Sequence, residues 1–179
     1  MNKKAKILLE SLLFAPSGLI CEIGCIREGK EVPEDGFSTY YLAEFAKHNR
    51  RPFKSYDICE ENVNIANKVL RESNLPESVY VADGKVILPT LGPISFLFLD
   101  AHRIPAISFE QYQAAELASN AIVVIDDAQF MDGNQYGKAT YCVLVFMKNG
   151  IKWEIKNTEP GFKMVIAYFP NGKKSGALY

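Results

Sequence analysis

Short apolar runs in this chain stop, one after another, at an acidic residue. Leu19-Ile20-Cys21 leads into Glu22-Ile23-Gly24, Lys54-Ser55-Tyr56 into Asp57, residues 94–99 into Asp100, and residues 121–125 into Asp126-Asp127. Between these runs the apolar positions change to helical spacing. Residues 4–15 place Ile7, Leu8, Ser11, Leu12 and Ala15 on one stripe and end at Pro16-Ser17-Gly18. Residues 37–48 turn Tyr41, Leu42, Phe45 and Ala46 inward. Residues 60–71 repeat Val63, Ala66, Asn67 and Leu70, with Glu60 and Glu61 favourably placed in the first turn. The alternation predicts an α/β fold with a parallel sheet, its strands at 19–23, 53–56, 78–82, 94–99 and 121–125. Acids at the carboxyl ends of such strands face one crevice, where ligands bind.

The remaining elements are less regular. Residues 108–118 read as a helix opened by Ser108 with Gln111 three residues later, as in a capping box, and closed by Asn120. The tail supports two readings. Asn149-Gly150 between 140–147 and 151–155 is the strongest two-residue hairpin signal. Alternatively, 138–148 is a very apolar helix with Asn149-Gly150 as its C-cap. In either case 162–169 is a final strand. No repeat, low-complexity segment or linker divides the sequence, so a single domain over 1–179 is expected.

Composition narrows the function classes. The 20 Lys and Arg against 21 Asp and Glu leave a net charge of −1, and the basic residues are scattered. Nucleic-acid binding needs a concentrated positive field, which this pattern lacks. No apolar run reaches the length of about 18 residues that a membrane span requires. The basic start is followed by an apolar stretch that Glu10 and Ser11 interrupt, which suits an amphipathic helix better than a secretory signal. Cys21, Cys25, Cys59 and Cys142 have no zinc spacing and read as free thiols of a cytoplasmic protein.

The chemistry concentrates at the strand ends. Glu22-Ile23-Gly24 follows the first strand and Gly36-Phe37-Ser38-Thr39 opens the next helix. Glycine lets backbone approach a ligand closely, and helix N-terminal amides face it. Asp57, at the end of the following strand, is placed to accept hydrogen bonds from both hydroxyls of a ribose. A turn with a solvated aspartate is the plainer alternative. These residues, with Asp57-Ile58, Asp83-Gly84 and Leu99-Asp100, resemble the class I S-adenosylmethionine-dependent methyltransferases over nearly the whole chain. The resemblance implies a doubly wound, Rossmann-like, mostly parallel seven-stranded sheet with one antiparallel strand near the C-terminus. It implies that Glu22, Gly24, Gly36, Ser38 and Thr39 seat the methionyl part of the cofactor. Asp57 and Ile58 would then meet the ribose, and Asp83 and Gly84 the adenine, with Asp100 also at the cofactor. The chain departs from the family in one place: residues 25–35 are inserted into a turn that is normally compact. That charged segment reads equally as a lid, a substrate loop or a solvated excursion.

Asp100, Asp126 and Asp127 end adjacent expected strands. Carboxylates brought together repel unless a cation or protons neutralise them, and an all-oxygen set with water suits Mg²⁺, Ca²⁺ or Mn²⁺. The arrangement resembles the metal-dependent O-methyltransferases, in which an acid after the fourth strand and a pair after the fifth hold the ion; the second member there is often Asn, and here it is Asp127. His102 has three readings: general base beside Asp100, cofactor contact, or loop cap. His48 reads as a helix-dipole partner. Residues 129–136 suit either an acceptor pocket or a surface connection, and Gly137-Lys138 lacks the spacing of a phosphate loop. The resulting expectation is O-methylation of a small molecule, by a protein that pairs as a homodimer. A nicotinamide-dependent oxidoreductase and a non-catalytic nucleoside- or partner-binding module are the alternatives.

Overall fold

The computed structural model of the protein describes residues 2–27 and 37–176. Seven strands, β1 (Leu19–Ile23), β2 (Phe53–Asp57), β3 (Val79–Val81), β4 (Ile94–Leu99), β5 (Leu117–Ile125), β6 (Lys152–Glu159) and β7 (Phe162–Phe169), form one sheet in the order β3-β2-β1-β4-β5-β7-β6. β1 to β5 pair in parallel, and β7 runs antiparallel to both β5 and β6. Among the described residues six α-helices accompany the sheet: α1 (Lys3–Phe14), α2 (Ser38–His48), α3 (Glu60–Glu72), α4 (Gly84–Ile87), α5 (Pro105–Ala114) and α6 (Thr140–Lys148). Among the described residues no helix is long and apolar enough to cross a membrane.

β4 is buried along its whole length, and its alternation feeds two cores. Phe96 and Phe98 point to one face, where Leu8 and Leu12 of α1 and Leu42 of α2 cover them. Leu97 and Leu99 point to the other, against Tyr112 of α5 and Cys142 and Phe146 of α6. A strand buried on both faces needs a continuous apolar run, which is why Ile94-Ser95-Phe96-Leu97-Phe98-Leu99 reads as it does. Strand order reverses between β1 and β4, so the crevice opens above their carboxyl ends, next to Gly24 and Asp100.

One expectation requires correction. The helix expected at 108–118 is α5, Pro105–Ala114, and Ser108 is buried inside it rather than capping it. Pro105 sets the start, since it tolerates only the first turn. Residues after Ala114 are drawn into the sheet: Ile94 N–H donates to Glu116 O and Leu117 N–H to Lys173 O, at 2.9 and 2.7 Å. Asn120 therefore ends no helix. It sits within β5 at φ +62°, where the β4–β5 register shifts. In the tail the helical alternative holds. Gly150, at φ +65°, follows α6, and Ile151 N–H donates to Phe146 O at 2.9 Å, as a glycine C-cap requires. The hairpin lies one element later, between β6 and β7.

Candidate active site

Gly24 stands where β1 ends, and its φ is +92°. Its N–H donates to Tyr56 O at 2.8 Å. A Cβ there would lie 2.7 Å from Ala101 Cα and from Asp100 C, so the β1 turn and the β4 turn touch backbone to backbone. Beyond it, Cys25 N–H donates to Asp57 Oδ2 at 3.3 Å and Cys59 N–H donates to Asp57 Oδ1 at 2.8 Å. Two amides thus aim the carboxylate. A cavity of about 180 Å³ opens here, lined among others by Gly24, Arg27, Ser38, Asp57, Asn62 and Asp100. A second of about 160 Å³, lined by Asp83, Gly84, His102, Ile107 and Gln111, shares Asp57, Ile58 and Ala101 with the first. The two form one groove. Ile58 lies between them with 73% of its surface exposed, an uncovered aliphatic face of the kind a flat ring can pack against. Asp83 caps α4 through Lys85 N–H at 2.8 Å, which fixes its position at the far end.

Glu22, near the carboxyl end of β1, is fully buried. Ser55 Oγ donates to its Oε2 at 2.6 Å, while Oε1 has no hydrogen-bonding partner. Burial pushes its pKa up to about 7, against the opposing pull of the Ser55, Ser38 and Thr39 hydroxyls.

Asp100, Asp126 and Asp127 come together as expected, each offering an oxygen within 4.8 Å of the others. The sequence reading did not anticipate what neutralises them. Lys138 Nζ donates to Asp100 Oδ1 at 2.7 Å and Asp127 Oδ2 at 2.8 Å; Lys4 Nζ donates to Asp100 Oδ2 at 2.9 Å and also to Asp126 Oδ2. Burial would raise the Asp100 pKa, but the two ammonium charges outweigh it and hold the group well below the ordinary carboxylate range. Burial and the neighbouring Asp100 push Asp126 up to about 6. Burial would lower both lysines, and their acid partners more than offset it. Four of the six triad oxygens are therefore engaged by ammonium groups, and the set does not fit a divalent ion while both lysines stay.

The other expected residues divide. Ser38 lines the first cavity; Thr39 is buried behind it, its Oγ1 accepting from Ile26 N–H at 3.0 Å, so it supports the turn. His102 lines the second cavity with Asp83, and its Nδ1 accepts from Ile104 N–H at 3.1 Å. Gly36 and most of the 25–35 insertion lie outside the described residues. Gln129 braces β7 by accepting from Lys163 N–H at 3.2 Å, and Tyr136 packs edge-on against Trp153, so both ends of the 129–136 segment are tied to the scaffold. Lys4 and Lys138 were missed because nothing local pairs either with an acid: Lys4 reads as a surface lysine of an amphipathic helix, and Lys138 only follows a glycine. The weak signal was Lys138 at the mouth of the most apolar helical stretch of the chain.

No protein-family model matches the sequence, and no curated protein is significantly similar to it. Solved structures are similar. The O-methyltransferase TomG of Streptomyces achromogenes, involved in tomaymycin synthesis and bound to S-adenosylmethionine, is 20% identical with a TM-score of 0.65, covering 93% of this chain and 78% of its own. An O-methyltransferase from Bacillus cereus with S-adenosylhomocysteine is 17% identical with a TM-score of 0.63, covering 93% and 80%. A S-adenosylmethionine-dependent O-methyltransferase from Thermotoga maritima is 15% identical with a TM-score of 0.70, covering 93% and 64%. Strand order, the antiparallel β7 and the groove over the switch point agree with these likenesses: the chain has the class I S-adenosylmethionine-dependent methyltransferase fold.

Proposed function

We propose that the protein transfers the sulfonium methyl of S-adenosylmethionine to an oxygen of a small-molecule acceptor. The observation that carries this reading is the single groove with Asp57 amide-aimed at its centre, Ile58 bare beside it and Asp83 at its far end. The residues fit the cofactor: Asp57 would hold the ribose, Ile58 and Gly84 the adenine ring, Asp83 its amino group, and Gly24, Ser38 and Glu22 the methionyl end. His102, in the cavity beside Asp83, belongs on this reading to the adenine end rather than to proton transfer. S-adenosylmethionine, when bound, supplies an electrophilic methyl and leaves little covalent work for the protein. Holding donor and acceptor in line supplies most of the acceleration. The O-methyltransferases among the structural neighbours support oxygen as the acceptor atom.

Asp57→Ala is expected to weaken S-adenosylmethionine binding by more than about tenfold, the loss of two charge-assisted hydrogen bonds. Calorimetry on the variant and the parent checks this, and equal affinities would remove Asp57 from the ribose. Thermal stabilisation by NAD and not by S-adenosylmethionine would favour an oxidoreductase instead.

A further inference from the structure

We infer that Lys4 and Lys138 take the place a divalent ion would occupy, so that the triad Asp100, Asp126 and Asp127 is closed to metal. The two ammonium groups arrive from distant parts of the chain. Lys4 comes from the first turn of α1, which Asn2 caps by accepting from Ala5 N–H at 2.8 Å. Lys138 comes from the 3₁₀ turn Gly137–Ala139. That turn can approach only because residue 137 is glycine: its φ is +47°, and a Cβ would lie 2.1 Å from Asp127 O. Backbone also ties the approach, since Lys138 N–H donates to Asp127 O at 3.1 Å.

Asp100 gives one oxygen to each lysine, Asp126 gives one to Lys4, and Asp127 gives one to Lys138. Three carboxylates against two ammonium groups leave a residual charge of −1. A hard cation requires several of these oxygens at once. It would also stand beside two ammonium charges in a poorly solvated site, since the Lys138 side chain is 4% exposed. Entry therefore requires both lysines to leave. For activity, the consequence is methyl transfer that needs no metal, and that consequence alone rests on the methyltransferase reading.

The test uses the full chain freed of metal with EDTA, and Mn²⁺ as the probe, followed by the paramagnetic signal of free Mn²⁺ and by thermal melting. The parent protein is expected to bind no Mn²⁺ and to melt at the same temperature with and without it. Lys4→Met/Lys138→Met is expected to gain Mn²⁺ binding, at least about tenfold tighter than any the parent shows, because the repulsion is gone while all three carboxylates remain, and Mn²⁺ is expected to raise its melting temperature. If this variant folds only with Mn²⁺, the inference is upheld in the same way. Lys138→Met/Asp127→Asn keeps the residual charge and Lys4, and is expected to fold and to ignore Mn²⁺. Stoichiometric Mn²⁺ binding by the parent that Asp126→Asn abolishes would overturn the inference, as would a double-lysine variant that folds in EDTA and gains no affinity. S-adenosylmethionine plays no part in these readouts, so failure of the methyltransferase reading would leave the metal result standing.

Discussion

Gly24→Ala is expected to destabilise the protein by about 3 kcal/mol and to cut methyl transfer by about 100-fold. The backbone at residue 24 has φ +92°, where an L side chain is strained. The added Cβ would also meet Ala101 Cα and Asp100 C at 2.7 Å, and these are backbone atoms that cannot swing aside as a side chain would. Relief must come from parting the β1 turn from the β4 turn. Ala101 lines both cavities, and Asp100 N–H donates to Ile23 O at 2.8 Å, so parting them deforms the floor of the groove and the strand end that holds Asp100. Urea unfolding measures the first effect, and calorimetry with S-adenosylmethionine measures loss of the groove directly. A variant that folds at parental stability and binds S-adenosylmethionine normally would mean that the contact between the two turns is dispensable.

The second large effect is a change in pH dependence on replacing Glu22 by Gln. Burial moves the Glu22 pKa from 4.5 to about 7 in the folded protein. A raised acid pKa means that the native state holds its proton more tightly than the unfolded chain does. Stability from this group is therefore greatest below pH 4.5, falls as pH rises towards 7, and is level above that. The whole span is about 3 kcal/mol. Glutamine keeps the shape and the acceptor for Ser55 Oγ but cannot ionise. The stability of Glu22→Gln relative to the parent should therefore climb by about 3 kcal/mol between pH 5 and pH 8. Parallel stability curves for the two proteins would show that the carboxylate is solvated or paired in solution. The same substitution is expected to weaken S-adenosylmethionine binding above pH 7, because Glu22 is proposed at the methionyl end and is ionised there, with Oε1 unpartnered.

Much of this arrangement was legible along the chain. β1, β4 and β7 fall where the apolar runs put them, because a central strand buried on both faces tolerates little but apolar residues. Asp57, Asp83 and Asp100 are found at one crevice because parallel strands end on the same edge, so position in the strand already fixes position in space. The α5 boundary was not legible. Local capping at Ser108 competed with Pro105 at one end and with strand pairing by residues 115–117 at the other. That pairing depends on Lys173, whose Nζ donates to Gln113 O and Ala115 O at 2.9 and 2.7 Å. Nothing within the helix sequence announces a lysine nearly sixty residues away.

The sequence alone determined the layering and the sheet edge at which the acids gather. These follow from periodicities and strand ends, which are local. Only the tertiary structure decided what neutralises Asp100, Asp126 and Asp127. Three neighbouring carboxylates demand positive charge, but the demand does not say whether an ion or a side chain meets it. Lys4 and Lys138 meet it because α1 and the turn before α6 happen to converge over the ends of β4 and β5, a juxtaposition set by packing and invisible to any window along the chain.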